Sequence, residues 1–460
     1  MRWYALVFGL FLGLCIWKFG NPVILDHTIG TPATASDFLG DAWPIHWVDW
    51  ILAPLVIVGA IFAFQDQPAR WSKVCLWLLP LVWLAWQFLS ATSTVDTALT
   101  NATLWQYCGC VACYFLGLRL FNRERLSQWL FIGLLVAFAF CLVRAVNQRV
   151  IEYPQNAQTL TEGEQSGWTN FPPESITEMK QEGIIITTNG VDVANPVILA
   201  KFSRGRVCGT LVYPNALAGI ILLLWPAALV LAFGSTGQLR PYLRRAAIAV
   251  TVFLGAAAFF WTGSKLGWLI GIALAGLVLL RLNWSRQLKF AAVAAVLVIG
   301  LGVFAVRFHH YFAAGATSAG ARFDYWQAAV KTTAERPWFG TGPGTFQRPY
   351  ARLKSPSSEM ARLAHNDYLE QFSDSGIPGG LAYAAWIFLA LFTLWQRVWR
   401  STNHFTFAIF LGLLGWFIQG FGEFGLFVPA LAWTAFTLMG VLIGQNNSEI
   451  IQIDKKSVAR

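Results

Sequence analysis

Runs of about 20 mostly apolar residues recur along the chain at 3–20, 45–64, 74–90, 104–121, 128–146, 210–233, 246–263, 265–281, 288–307, 377–396, 405–422 and 427–444. A helix of that length crosses the roughly 30 Å hydrocarbon core of a bilayer. The pattern predicts an all-α, polytopic membrane protein of about twelve transmembrane helices. The first run is rich in aromatic residues and has no small-residue cleavage site. It reads as a retained span rather than a signal peptide.

Two long stretches interrupt the series. Residues 147–209 are polar and mildly acidic, with Glu162, Glu164, Glu174, Glu178 and Glu182 scattered among turn residues. Residues 308–376 look partly helical. Ser318 is a candidate cap for a helix running to Glu335, which Arg336-Pro337 ends, because a residue before proline disfavours the helical region. A second helix is expected from Ser358 to Phe372, stopping near Gly376-Ile377-Pro378-Gly379. The chain then divides into helices one to five (1–146), a first long loop (147–209), helices six to nine (210–307), a second long loop (308–376), and helices ten to twelve with a tail (377–460).

Charge orients these spans. One set of alternate loops carries Arg70 and Lys73; Arg119, Arg123 and Arg125; Arg240, Arg244 and Arg245; Arg281, Arg286 and Lys289; Arg397 and Arg400. The tail adds Lys455, Lys456 and Arg460, and the N-terminus has Arg2. No Lys or Arg occurs in 21–45, 91–103 or 421–427. The excess of basic residues on cytoplasmic loops places both termini in the cytoplasm, and the helix count, since long loops escape the charge rule, turns both long loops outward. Lys265 breaks the pattern as the one basic residue in a short outer loop.

Composition agrees. Hydrophobic residues make up 56% of the chain and charged residues only 12%, against about 25% in soluble domains. The net charge of +10 is accounted for by cytoplasmic loops, so no nucleic-acid partner is expected. Cys108, Cys110 and Cys113 have metal-like spacing but lie mid-span without a nearby His or acid, and read as small core residues.

Four residues far apart in sequence converge on the outer face in this topology: Arg206, Lys265, Arg322 and His365. Each has an ordinary reading alone, as a headgroup contact, a snorkelling lysine, a partner of Asp324 or a structural histidine. Together, three cations and a histidine suit a polyanionic, membrane-bound substrate. A lipid diphosphate leaving group gains negative charge as its bond to sugar breaks and needs fixed cations, for which Arg offers a bidentate fork. The outer loops hold no paired-acid motif suited to Mg²⁺ or Mn²⁺, so the Arg/Lys route is favoured and no metal or cofactor is expected. An acceptor hydroxyl needs a base, and neutral His365 fits. On the expected helix Arg362 and Leu369 share its face, whereas Asp367 does not. The run Gly340-Thr-Gly342-Pro-Gly344 is a weak candidate for a backbone anion nest.

At these residues the chain resembles the O-antigen ligase and O-antigen polymerase superfamily of bacterial membrane glycan transferases. The similar segments are Gly209 to Ala218, with Pro214-Asn215; the turn Ser264-Lys265-Leu266; Arg322 to Trp326, followed by Pro337 and Gly342-Pro-Gly344-Thr-Phe346; and His365-Asn366 to Leu369 before Gly376 to Gly379. They span about 206–380 in order. The resemblance implies a metal-independent transferase that takes glycan from undecaprenyl diphosphate at the periplasmic face and passes it to a glycan, lipid or protein acceptor. It carries the family's essential arginines onto Lys265 and Arg322 and its essential histidine onto His365, and the expected site then has His365 as base, Arg322 and Lys265 as catalytic cations, and Arg206, Asn215, Asn366 and Trp326 as substrate-binding residues. Lys265 stands where the family usually has Arg, keeping the charge and losing the fork.

A ligase moves finished glycan onto lipid A core or a similar acceptor, whereas a polymerase or a protein O-oligosaccharyltransferase would use the same motifs. A polysaccharide transporter is the reading from another class. Such proteins often carry duplicated halves and ionisable residues at mid-membrane, and this chain shows no internal repeat and few deep charges.

Overall fold

The structure, a computed structural model, describes residues 1–65, 74–122, 124–234, 240–356 and 358–445. Of the basic residues weighed for topology, Arg70, Lys73, Arg123, Lys455, Lys456 and Arg460 lie outside this set.

Every apolar run falls on a helix. In the first half these are α1 (Arg2–Lys18), α3 (His46–Gln65), α4 (Val74–Ala91), α5 (Thr97–Leu120) and α6 (Glu124–Asn147), with the short α2 (Ala35–Gly40) between α1 and α3. A π-helical turn, Gln148–Glu152, carries α6 without a break into α7 (Tyr153–Gln165). Next come α8 (Pro173–Gln181), a hairpin of β1 (Ile185–Thr188) and β2 (Val191–Ala194), and α9 (Pro196–Arg204). The second half holds α10 (Pro214–Gly234), α11 (Pro241–Thr262), α12 (Lys265–Arg281), α13 (Arg286–Ala313), α14 (Thr317–Glu335), α15 (Gln347–Leu353), α16 (Asp367–Val398), α17 (His404–Gln419) and α18 (Pro429–Gly444). Among the described residues seven helical stretches are long and apolar enough to cross a membrane. The fold is an all-α polytopic membrane protein with a minor β-hairpin.

Small residues let the central helices approach closely. A methyl group added at Gly9 of α1 would overlap the Leu130 carbonyl of α6, and one at Gly117 of α5 would overlap that of Thr437 in α18. Such contacts drive helix association where lipid offers no hydrophobic gain. Helix α18 is buried from Pro429 to Leu442. By contrast α13 buries only Phe308 and turns Val298, Ile299 and Val306 outward. Apolar surface of that kind matches a hydrocarbon solvent.

Two expectations of the second loop are corrected, and the first loop has an architecture that its composition did not specify. The first long loop is folded: α7, α8, α9 and the hairpin enclose a small core of Leu160, Trp168, Ile185 and Ala194. In the second loop Ser318 does not cap its helix. Ala316 holds that place, and the Ser318 hydroxyl meets the Tyr311 phenol at 2.8 Å. Finally, the helix expected from Ser358 begins only at Asp367, where the Asn366 side chain accepts from the Tyr368 and Leu369 amides at 3.1 and 3.0 Å. His365 has φ +51°, a left-handed conformation that a right-handed helix cannot contain. Arg362 and Leu369 therefore share no helix face with it.

Helix α16 reverses at Gly376, whose φ of +70° and ψ of −177° lie outside the helical region. Its first half folds back against its second. Tyr368 meets Tyr383 and Phe388 with ring centroids 5.5 and 5.8 Å apart, and Phe372 packs on Gly380. Eight residues at 1.5 Å each put Tyr368, and with it the His365 loop, about 12 Å down the bundle from the reversal. The histidine is recessed.

Candidate active site

The recess is bounded by short elements. The turn between α17 and α18 brings Glu423, α10 begins at Pro214-Asn215, and Arg206 follows α9. Lys265 opens α12, where the Ser264 hydroxyl accepts from the Gly267 amide at 3.3 Å. Arg322 comes from α14, and His365 from the loop before α16.

Glu423 holds these parts together. Its side chain is buried, about 4% exposed, and accepts from Arg322 Nη2 at 2.6 Å, Asn215 Nδ2 at 2.7 Å and the Tyr213 phenol at 3.3 Å. His365 Nδ1 stands 3.6 Å from Glu423 Oε2, an electrostatic contact longer than a hydrogen bond. Arg206 joins through Asn215: its Nη2 donates to Asn215 Oδ1 at 2.8 Å and its Nε to the Thr262 carbonyl at 2.7 Å. That carbonyl belongs to the turn presenting Lys265, so Arg206 ties the α10 entry to the α11–α12 turn. The Lys265 ammonium lies over the Tyr311 ring, 3.8 Å from its centroid, with Arg206, Arg322 and Arg307 as charged neighbours.

The charge balance follows from this geometry. Arg206, Arg307 and Arg322 surround Lys265, with Glu423 as the acid that faces it and Asp367 behind Glu423, so the recess carries an excess of positive charge suited to a polyanion. Burial pulls Arg206 below its ordinary pKa while Glu423 opposes the shift. An arginine starts too high to lose its proton near neutrality.

The His365 ring is held between aromatic groups. Tyr325 stacks on one side at 5.9 Å, and Phe424 meets it edge-on at 4.7 Å. The Tyr325 phenol donates to Glu359 at 2.6 Å. Burial, then that bond, raises Tyr325 above the usual phenol range, so it stays neutral beside the histidine. The Trp326 indole reaches the His365 carbonyl at 3.5 Å. Asn366 is engaged in capping α16, and Asp367 accepts from the Leu426 amide at 3.2 Å. Backbone strain at His365 is thus supported on both sides, as active-site strain must be.

The structure brings Arg206, Asn215, Lys265, Arg322, Trp326, His365 and Asn366 to one region. The Gly340–Gly344 run is differently engaged. Its Gly344 amide donates to the Asp374 carboxylate at 2.7 Å and its Gly342 amide to the Asp374 carbonyl at 2.8 Å, so an internal acid fills the expected nest. Glu423 escaped the sequence reading. Its signal was a lone carboxylate in the short apolar turn Phe421-Gly-Glu-Phe-Gly-Leu-Phe427.

Comparison with curated proteins finds no match. Residues 250–384, which contain Lys265, Arg322 and His365, match the family described as O-antigen ligase, and that match supports the resemblance to the O-antigen ligase superfamily.

Proposed function

We propose that this protein transfers a glycan from an undecaprenyl diphosphate carrier to an acceptor hydroxyl, such as that of lipid A core, at the periplasmic face of a bacterial inner membrane. Both termini then lie in the cytoplasm. The observation that carries the reading is the convergence of Arg206, Lys265 and Arg322 with His365 around Glu423.

The chemistry is a displacement at the anomeric carbon. The acceptor oxygen forms the new glycosidic bond as the bond from sugar to diphosphate breaks, and the diphosphate leaves with the electron pair. His365 takes the acceptor proton. With Nδ1 turned toward Glu423, the carboxylate favours a proton on Nδ1 and leaves the Nε2 lone pair to act as base. Arg206, Lys265 and Arg322 meet the charge that grows on the diphosphate. A recess with this many cations repels a divalent ion, so the fixed side chains take the metal's place.

The test is reconstitution of purified protein with lipid-linked donor and a defined acceptor. The wild type transfers glycan, and His365→Ala inserts normally without transferring. Full activity in the alanine variant removes His365 as the base. Replacing the acceptor with a second lipid-linked chain separates ligase from polymerase.

A further inference from the structure

Beside the recess, α16 and α17 leave an open apolar groove with a cavity of about 280 Å³. Phe388, Phe392 and Trp395 of α16 form one wall, and Leu414 and Ile418 of α17 with Phe421 of the turn after it form the other. Most of its lining is aromatic. The Tyr368 phenol, one of two polar groups among the lining side chains, is turned away to donate to the Phe417 carbonyl at 3.1 Å. The α17 residues recur at intervals of three and four, so they form one continuous stripe. From Phe410 to Ile418 that stripe is about 12 Å long, and Phe421 of the following turn extends it.

The upper end of the groove is built from the same turns as the recess. Tyr368 is three residues past His365, and Phe421 two before Glu423. Their rings stack with centroids 4.2 Å apart, closing the end of the groove with residues that adjoin His365 and Glu423 in the chain. Phe424, on the same turn as Phe421, touches His365 itself. The groove then runs along the helix axes away from the recess, the direction a lipid tail takes when its headgroup is held there.

Building on the function proposed above, we propose that this groove binds the isoprenoid chain of the donor, with the diphosphate-proximal units against Tyr368 and Phe421. Methyl-branched, unsaturated units pack edge and face against aromatic rings, which offer large rigid contact area. A chain seated here makes capture of the diphosphate effectively intramolecular, so the tail contributes to donor affinity without touching the reacting atoms. The groove acts on donor KM and leaves kcat alone.

Ile418→Trp and Leu414→Trp fill the groove from α17 without touching the recess. Transfer is measured in detergent with two donors carrying the same glycan diphosphate, one on a long polyisoprenoid and one on a chain of two or three isoprene units. The expected result is an approximately tenfold rise in KM for the long-chain donor in each variant, with kcat unchanged and the short-chain donor unaffected. Equal effects on both donors, or none on either, overturn the proposal. In parallel, a photoreactive polyisoprenyl diphosphate is crosslinked to the wild type in vesicles, and the labelled peptides are mapped. Label within 388–395 and 410–421, competed by polyisoprenyl diphosphate and not by phosphatidylglycerol, supports the groove even if no glycan transfer is seen. Equal competition by phosphatidylglycerol marks an ordinary lipid contact and overturns it. Absence of transfer from every donor by the wild type, with specific crosslinking intact, defeats the proposed reaction and leaves the tail site standing.

Discussion

The two long loops look alike as interruptions in hydropathy, yet they are attached to the bundle in opposite ways. The stretch from Tyr153 to Arg204 builds its own small core, and its charges pair locally, as Lys180 does with Asp192 at 2.6 Å. The stretch from Thr317 to Asn366 directs its polar groups into the bundle. Arg322 reaches Glu423, Arg348 reaches Asp96 at 2.6 Å, and Gly344 meets Asp374. The Phe339 carbonyl also accepts from Ser90 of α4. One loop is an appended unit, and the other completes the recess. A loop wired into rigid helices can hold reacting groups to the tolerance catalysis requires.

That contrast is broken most severely at His365. Replacing it with alanine removes the proposed base, and general base catalysis contributes about 10²- to 10⁴-fold to rate. The expected loss in kcat is of that order, with lipid-linked glycan accumulating in cells. The Tyr325 phenol, held neutral by burial and Glu359, is not expected to substitute.

Glu423 comes next. Glu423→Leu leaves Arg322 and Arg206 facing each other without the carboxylate, and breaking a buried ion pair costs up to about 3–5 kcal/mol. Arg322 is about 22% exposed, so solvent screening moves the expectation to the lower end. Thermal unfolding in detergent reads the loss, and transfer falls with it because Arg322 is no longer held. Glu423→Gln keeps an oxygen for Asn215 and is expected to recover stability better than activity.

Lys265 gives a smaller effect. A charge-assisted hydrogen bond contributes about 1.5–3 kcal/mol, so Lys265→Ala is expected to lower kcat/KM about 10- to 100-fold, with kcat falling because the contact strengthens as the leaving charge grows. Lys265→Arg restores the charge with a bidentate fork and is expected to stay within about threefold of wild type. An arginine variant as impaired as the alanine one means that the contact with Tyr311 matters more than the charge.

These predictions depend on residues that sequence reasoning reached unevenly, for physical reasons. Spans were legible because a bilayer imposes one length on every crossing helix. Arg206, Lys265, Arg322 and His365 stood out because charge on the sparsely basic side of an apolar chain is conspicuous. Glu423 did not, since an acid in a short outer loop violates no charge rule. The register of the His365 loop was also hidden. Ser358 to Ala364 carries an apparently helical pattern, but Glu370 draws the Ala364 amide back over the start of α16 at 2.9 Å, and only folding creates that contact. Gly376-Ile377-Pro378-Gly379 signalled a break, whereas a reversal that buries the helix start needs the packing of Tyr368 on Phe388.

The appended unit supplies the smallest expected effect on transfer, and so the sharpest limit on the comparison. Trp168 is about 3% exposed, donates its indole N–H to the Asp192 carbonyl at 2.9 Å, and packs at a tilt against Phe171. Truncating a buried tryptophan costs about 3–5 kcal/mol. A core of this size has little stability in reserve, so Trp168→Ala is expected to unfold the unit locally and expose 153–204 to protease. The Glu423 cluster takes none of its direct hydrogen bonds from this unit, because Arg206 is anchored by Asn215 and the Thr262 carbonyl beyond α9. Transfer to a small soluble acceptor should therefore change less than about threefold. A large loss only with a bulky acceptor makes the unit part of acceptor recognition. A loss with every acceptor means that strain passes through the π-helical turn at Gln148–Glu152, and that the two loops are more alike than their bonding suggests.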